Sequence, residues 1–166
     1  MSAKNKDLIT EYYLKYRKSL IVIAVSYTHN LSDAEDLVQG AFVKALMSYE
    51  GTGSFLYWIN RVIRNDWYNN QKRHSAKTAD DEIPDIADPS EGPLDILIKD
   101  ENRRRLAKMI TELPDKYRDI MIEAVYLGRT DEEIAKDYDL TAVNVRQIRS
   151  RAKKFIQERV KKDDDY

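Results

Sequence analysis

The sequence has 166 residues, 42% of them hydrophobic and 34% charged, with a formal net charge of −1 and no cysteine. That length and apolar fraction suit one medium or two small helical cores and exclude a disordered tail. The lack of cysteine excludes a disulfide framework and thiolate metal sites, and it favours a cytoplasmic setting over a secreted one. The near-neutral total conceals a pattern. Residues 52–78 carry five Lys/Arg against one Asp/Glu, residues 79–101 carry one against nine, and residues 141–162 carry eight against one. Two basic stretches therefore flank an acidic connector, and basic helical stretches are the electrostatic footprint of phosphate binding.

Met1 to Asp7 is polar with no long apolar run behind it, so neither a signal peptide nor a membrane span is expected. Leu8, Tyr12, Tyr16, Leu20, Ile23 and Tyr27 recur every three or four positions and predict a first helix with one apolar and aromatic stripe. Ser32-Asp33-Ala34-Glu35 has the spacing of a capping box, which predicts a second helix starting at Ser32, with Leu37, Val38, Ala41, Phe42, Ala45 and Leu46 on its buried face. Gly51-Thr52-Gly53-Ser54 breaks the period. A third helix follows from about Phe55 to Arg73, with Phe55, Trp58, Ile59, Val62 and Ile63 facing inward. Arg61, Arg64, Asn65, Tyr68, Asn69 and Lys72 then fall on the other side. Opening a duplex requires a surface that captures unstacked bases, and aromatic faces beside basic or amide groups supply one; the loop from Ser48 to Ser54 has room for a flipped base.

From Ala76 to Pro93 the chain holds Pro84, Pro89, Gly92 and Pro93 among carboxylates and shows no apolar period, so residues 76–93 are expected to be a linker. It divides a domain at 1–75 from one at 94–162, and the fold class is all-α. Helical pattern resumes with Leu94, Leu97, Ile98, Arg105, Leu106 and Ile110, pauses at Leu113-Pro114, and runs through Tyr117, Ile120, Met121, Ala124 and Val125 to the terminator Gly128. Thr130-Asp131-Glu132-Glu133 predicts a capping box, Ile134 and Ala135 the packed face of a short helix, and Thr141 the cap of the next. Two helices at that separation form a helix-turn-helix, and Asp139 stands where glycine usually makes the turn; Asp tolerates the left-handed conformation the turn requires.

On the last helix Val145, Ile148, Ala152 and Ile156 face the core. Thr141, Asn144, Arg146, Gln147 and Arg151 near its start are the types that make paired hydrogen bonds to base edges or flank them in the major groove, while Arg149, Lys153, Lys154 and Arg159 suit phosphate contacts. The plainer alternative is a helical hairpin with a solvated basic face. His29 and His74 are isolated and hold no metal-ligand spacing, so no metal, cofactor or catalytic residue is expected.

These residues resemble a known family, the small two-domain, extracytoplasmic-function kind of bacterial RNA polymerase sigma factor. Leu113 to Asp119, Asp131 to Ala135 and Val145 to Ala152 are similar to the family's fourth region, which recognises the −35 promoter element. Ala34 to Gln39, followed by Phe42, Lys44 and Ala45, resembles its second region, and the resemblance implies a core-polymerase surface of Glu35, Asp36, Leu37, Gln39 and Phe42. Phe55 to Asn65, ending in Lys72-Arg73, looks like the part that melts and reads the −10 element. The resemblance thus implies −10 contacts by Arg61, Arg64, Asn65, Tyr68, Asn69, Lys72 and Arg73, and −35 contacts by Thr141, Asn144, Arg146, Gln147, Arg149, Arg151 and Lys153. It also implies core polymerase, promoter DNA and an anti-sigma factor as partners, a linker lying in the polymerase cleft, and no enzymatic activity. The chain departs from the family pattern at Gly40, where Glu is usual, at Asn69, where Asp is common, and at Ala142-Val143. Two other readings remain open: a helix-turn-helix regulator that never joins polymerase, and a helical interaction protein that binds no DNA.

Overall fold

The computed structural model describes residues 3–76 and 92–165, all of whose regular structure is helical. The chain divides into two compact units, Met1–Lys99 and Asp100–Tyr166. The acidic residues Asp80, Asp81, Glu82, Asp85 and Asp88 lie outside the described residues. Among the described residues no helix is long and apolar enough to cross a membrane.

The first unit is built on α1 (Ala3–Thr28), α2 (Leu31–Ser48) and α3 (Phe55–Ala76). α1 and α2 run antiparallel, as the Tyr13–Phe42 ring contact and the hydrogen bond from Asn5 Nδ2 to the Tyr49 carbonyl (3.1 Å) show. The stripe expected on α1 widens along the helix. From Leu20 to Tyr27 every residue is buried, the pattern of a helix wrapped by neighbours on all sides. Ser26 is tolerated there because its hydroxyl donates to the Val22 carbonyl one turn back.

α2 does not start where the capping box predicts. Its N-cap is Asn30, whose Oδ1 accepts from the Asp33 amide at 2.9 Å, so Ser32 sits exposed inside the first turn. His29 stops the preceding helix at φ +55°, and Asn30 directly after it takes the cap. The buried face of α2 is as expected except that Leu46 is only half-buried. Phe55, the first residue of α3, is the hub of an aromatic cluster: it stacks on Tyr12 at 4.3 Å and packs edge-on with Tyr49 at 5.2 Å. A short helix, α4 (Pro93–Leu97), buries Leu94 and groups with the first unit, although the sequence reading begins the second domain at 94.

The second unit holds α5 (Glu101–Glu112), α6 (Asp115–Met121), α7 (Asp131–Asp137) and α8 (Ala142–Asp164). The periodicity read as continuous from Leu94 breaks at Ile98–Asp100, where Asp100 caps α5 by accepting from the Arg103 amide at 2.8 Å. α6 runs on into a π-helical turn, Ile122–Tyr126, which no local signal in the sequence marks. Gly128 then stops the helix at φ +63°. Ile120, Ile134, Ala135, Val145 and Ile148 form one core, and Leu113, Met121 and Ala152 a second beneath α8.

Candidate nucleic-acid interface

The last two helices of the second unit, α7 and α8, are capped as the sequence predicts. Thr130 Oγ1 accepts from the Glu133 amide at 3.2 Å, and the Thr130 amide donates back to Glu133 Oε1 at 3.3 Å. Accepting those bonds favours the charged carboxylate, so Glu133 is held below its ordinary pKa of 4.5. α7 closes on Asp139 at φ +54°, with the Leu140 amide reaching back to the Ala135 carbonyl at 2.9 Å, so the aspartate makes the turn where glycine is usual. Thr141 then caps α8 by accepting from the Asn144 amide at 3.1 Å. Val145, Ile148 and Ala152 are buried as expected, and Ile156 is half-buried.

That packing leaves the opposite face of α8 to solvent. Asn144, Gln147 and Arg151 follow one exposed edge at helical spacing. Arg146, Arg149 and Lys153 follow the other, which faces the start of α7. There Asp131 accepts from Arg149 Nη1 through Oδ1 and lies 3.4 Å from Arg146 Nε through Oδ2, and Glu132 Oε1 lies 3.8 Å from Arg146 Nη2. Thr141 is spent on its cap rather than offered to a ligand. Arg159, a candidate for phosphate contact, pairs with Glu112 at 3.1 Å.

Behind α7 a second charged set fixes its orientation. Arg129, with 13% of its side chain exposed, lies within 3.8 Å of Glu123 on the π-helical turn, within 3.5 Å of Glu133, and against Asp137. Glu123 is almost wholly buried, and Tyr126 beside it has its hydroxyl pKa pushed up to about 12 by burial. Apart from Glu133, read as part of the α7 capping box, sequence reading gave none of these residues a role, because their partners are brought together only by the tertiary fold.

In the first unit Arg61, Asn65, Asn69, Lys72 and Arg73 are exposed along α3, and Arg64 and Tyr68 are half-buried beside them. Trp58 and Val62, expected on the inward side, are only half-buried and share a helical stripe with Asn65 and Asn69. Trp58 packs against Tyr49 at 5.3 Å, next to the exposed loop 50–54, and Tyr57 approaches Arg61 at 3.5 Å. This aromatic end of the stripe, missed by the inward assignment, is the part suited to stacking on an unpaired base. Gly51 and Gly53 shape the loop at φ +80° and +74°.

On α2, Glu35, Asp36 and Gln39 are exposed, whereas Leu37 and Phe42 are buried and serve the core. Phe42 packs edge-on against Tyr13 at 5.1 Å, which removes it from any partner surface. A groove of about 970 Å³ between α2 and α3, tied by the Lys44–Asp66 ion pair at 2.6 Å, brings Asp36 together with Asn69 and Arg73. His74 also lines it, and no group of metal-ligating side chains occurs among the described residues.

Sigma-70 region 2 matches residues 12–77, and Sigma-70, region 4 matches residues 103–156. The chain is 28% identical over 148 residues to a probable RNA polymerase sigma factor, RfaY, of Xanthomonas campestris pv. campestris, covering 84% of this chain but 37% of that protein. It is 25% identical to the RNA polymerase sigma-H factor of Pseudomonas aeruginosa, over 86% of this chain and 81% of the relative. With the ECF RNA polymerase sigma factor ShbA of Streptomyces griseus it shares 29% identity, over 71% of this chain and 66% of the relative. Among solved structures it is similar in fold to the sigma factor RpoE in complex with the anti-sigma factor NepR from Bartonella quintana, with TM-score 0.67 and 24% identity over 94% of this chain and 98% of that one. It is similar also to CnrH in complex with the cytosolic domain of CnrY, with TM-score 0.62 and 18% identity over 96% and 91%.

Proposed function

Because the chain belongs to the sigma-70 family of RNA polymerase sigma factors, carrying its region 2 and its region 4, we propose that it joins core RNA polymerase, recognises −10 and −35 promoter elements and promotes transcription initiation. It does so in the cytoplasm, where the polymerase works, and catalyses nothing itself. The observation that carries this reading is the face of α8: a capped helix that buries Val145, Ile148 and Ala152 and turns Asn144, Arg146, Gln147 and Arg151 to solvent. A helix of that width enters the major groove, where these side chain types discriminate base pairs.

The division of labour follows from exposure. Glu35, Asp36 and Gln39 offer a short acidic and amide surface for core polymerase, with Leu37 and Phe42 supporting it from below. Along α3, Arg61, Arg64, Lys72 and Arg73 neutralise phosphates while Trp58, Asn65, Tyr68 and Asn69 receive bases of the opened −10 strand, with loop 50–54 beside them. Duplex opening costs a few kcal/mol per unstacked step, and stacking on an aromatic face returns about 1–3 kcal/mol per base. The anti-sigma factors held by the solved relatives support an inhibitor of that kind as a further partner.

Binding of the full chain to bacterial core polymerase, compared with Asp36→Ala and with Phe42→Tyr, tests the assignment. Tight binding that Asp36→Ala weakens tenfold or more, with Phe42→Tyr acting only through stability, is expected. Absence of binding to core enzyme would leave a helix-turn-helix regulator that acts apart from polymerase.

A further inference from the structure

Two arginines of the α8 reading face do not stand alone in solvent. Asp131, with 15% of its side chain exposed, accepts from Arg149 Nη1 with one carboxylate oxygen and lies 3.4 Å from Arg146 Nε with the other, and Glu132 lies 3.8 Å from Arg146 Nη2. We propose that Asp131 is a specificity-determining positioning residue, which holds Arg146 and Arg149 as a pair and so converts two general phosphate-seeking cations into a fixed reader of base pairs. This rests on the reading of α8 as the −35 recognition helix.

A guanidinium has five N–H donors in a planar fork. On Arg146 the two carboxylates lie beside Nε at 3.4 Å and Nη2 at 3.8 Å, ion-pair contacts on one side of the fork, and the terminal Nη1–Nη2 edge is the one able to pair with guanine O6 and N7. Arg149 gives Nη1 to Asp131 and keeps its remaining donors. Each arginine otherwise loses several rotatable bonds' worth of freedom on binding, and a side chain held in advance loses less.

The carboxylate also acts against wrong partners. An isolated arginine on a DNA-facing helix pairs with any phosphate within reach, and such contacts carry no sequence information. Asp131 competes for both guanidinia and adds a negative charge beside them, which raises the cost of every non-specific register while leaving the base-reading edge intact. Its place at the first residue of α7 is set by the Thr130 cap, and α7 is set against the π-helical turn by Arg129, so the pose is inherited from packed elements rather than from a loop.

The test uses the full chain assembled with core polymerase and a pool of promoter duplexes randomised upstream of the start site. Wild type, Asp131→Asn, Glu132→Gln and Glu133→Gln are compared by the sequences each selects, and then by affinity for the selected duplex against a scrambled one at several salt concentrations. For Asp131→Asn the ratio of selected to scrambled affinity is expected to fall about tenfold, the order expected for one misread base pair. Scrambled-duplex affinity is expected to rise and its salt slope to steepen by about one to two phosphates. The lost discrimination should fall on the same base pairs that Arg146→Ala loses, Glu132→Gln should show a smaller version confined to them, and Glu133→Gln, which loosens the α7 cap, should change both affinities alike. Equal change on the two duplexes by Asp131→Asn, in either direction, would overturn the proposal and leave Asp131 a structural or merely repulsive charge. A wild-type holoenzyme that selects no −35 sequence would instead overturn the recognition-helix reading itself. Thermal melts of each variant separate misfolding from altered reading, and Asp131→Glu, which restores the carboxylate, is expected to recover part of the ratio.

Discussion

The two units solve the same problem, a small helical core, with opposite chemistry. The first is held by apolar and aromatic packing: α1 is sealed on all sides from Leu20 to Tyr27, and Tyr12, Tyr16, Phe42, Tyr49 and Trp58 gather round Phe55. The second is threaded with charge. Arg118 is buried against Asp119, Arg129 joins Glu123, Glu133 and Asp137, and Arg146 and Arg149 share Asp131. Burial of apolar area does not titrate and is not screened, whereas ion pairs respond to both pH and ionic strength. The difference teaches that the reading helix is positioned by directional contacts, which fix geometry, while the first unit is anchored by contacts that fix mainly volume.

The contrast can be broken most forcefully at its two hubs. Phe55→Ala removes the ring shared by the aromatic cluster and should cost about 4 kcal/mol, melting the first unit while the second keeps its transition. Differential scanning calorimetry of the full chain would show which transition moves. Arg129→Ala leaves Glu123 without its guanidinium in a buried place and should cost the second unit about 3 kcal/mol. Arg129→Met should recover part of that loss if the site accepts apolar packing, and hydrogen exchange along α7 would report either result.

Thr130→Ala should cost about 1 kcal/mol through the lost cap, and it carries a pH signature. Because the Thr130 bonds hold Glu133 below its usual pKa of 4.5, that carboxylate stabilises the fold above this pH and loses its contribution as pH falls through the lower folded value. Wild-type second-unit stability should therefore decline below about pH 4.5, and Thr130→Ala should flatten that decline. A decline of equal size in the first unit would erase the contrast. The smallest effect has the opposite sign. Gly40 sits in mid-α2 with nothing within 4 Å of an added Cβ, so Gly40→Ala should stabilise the first unit by up to about 1 kcal/mol in a chemical denaturation curve.

Much of this organisation is legible in the sequence. Helical period alone locates α2, α3 and α8, and local cap chemistry locates Thr130, Asp139 and Thr141, because those signals act over three or four residues. The same local rule misplaces the start of α2: Ser32 and Glu35 have the spacing of a capping box, but the turn at His29 had already given the cap to Asn30. Resemblance marked Leu37 and Phe42 as a polymerase surface, yet their burial is decided by α1 and α3, which no short motif encodes. The break before α5, the π-helical turn and the Asp131 pairing were not read from the sequence either. The Asp131 pairing depends on residues brought together in space, Arg149 lying eighteen positions from its carboxylate partner, whereas the break before α5 rests on a local Asp100 cap that the apolar period overran.

Run-off transcription from promoter fragments by bacterial core RNA polymerase, with and without this chain, is the most direct measure of the central claim. Transcripts that appear only when the chain is added, that share a −10 and a −35 sequence, and that disappear with Gln147→Ala combined with Arg151→Ala are the predicted result. Unchanged transcription on adding the chain, despite tight binding of the chain to duplex DNA, would contradict it.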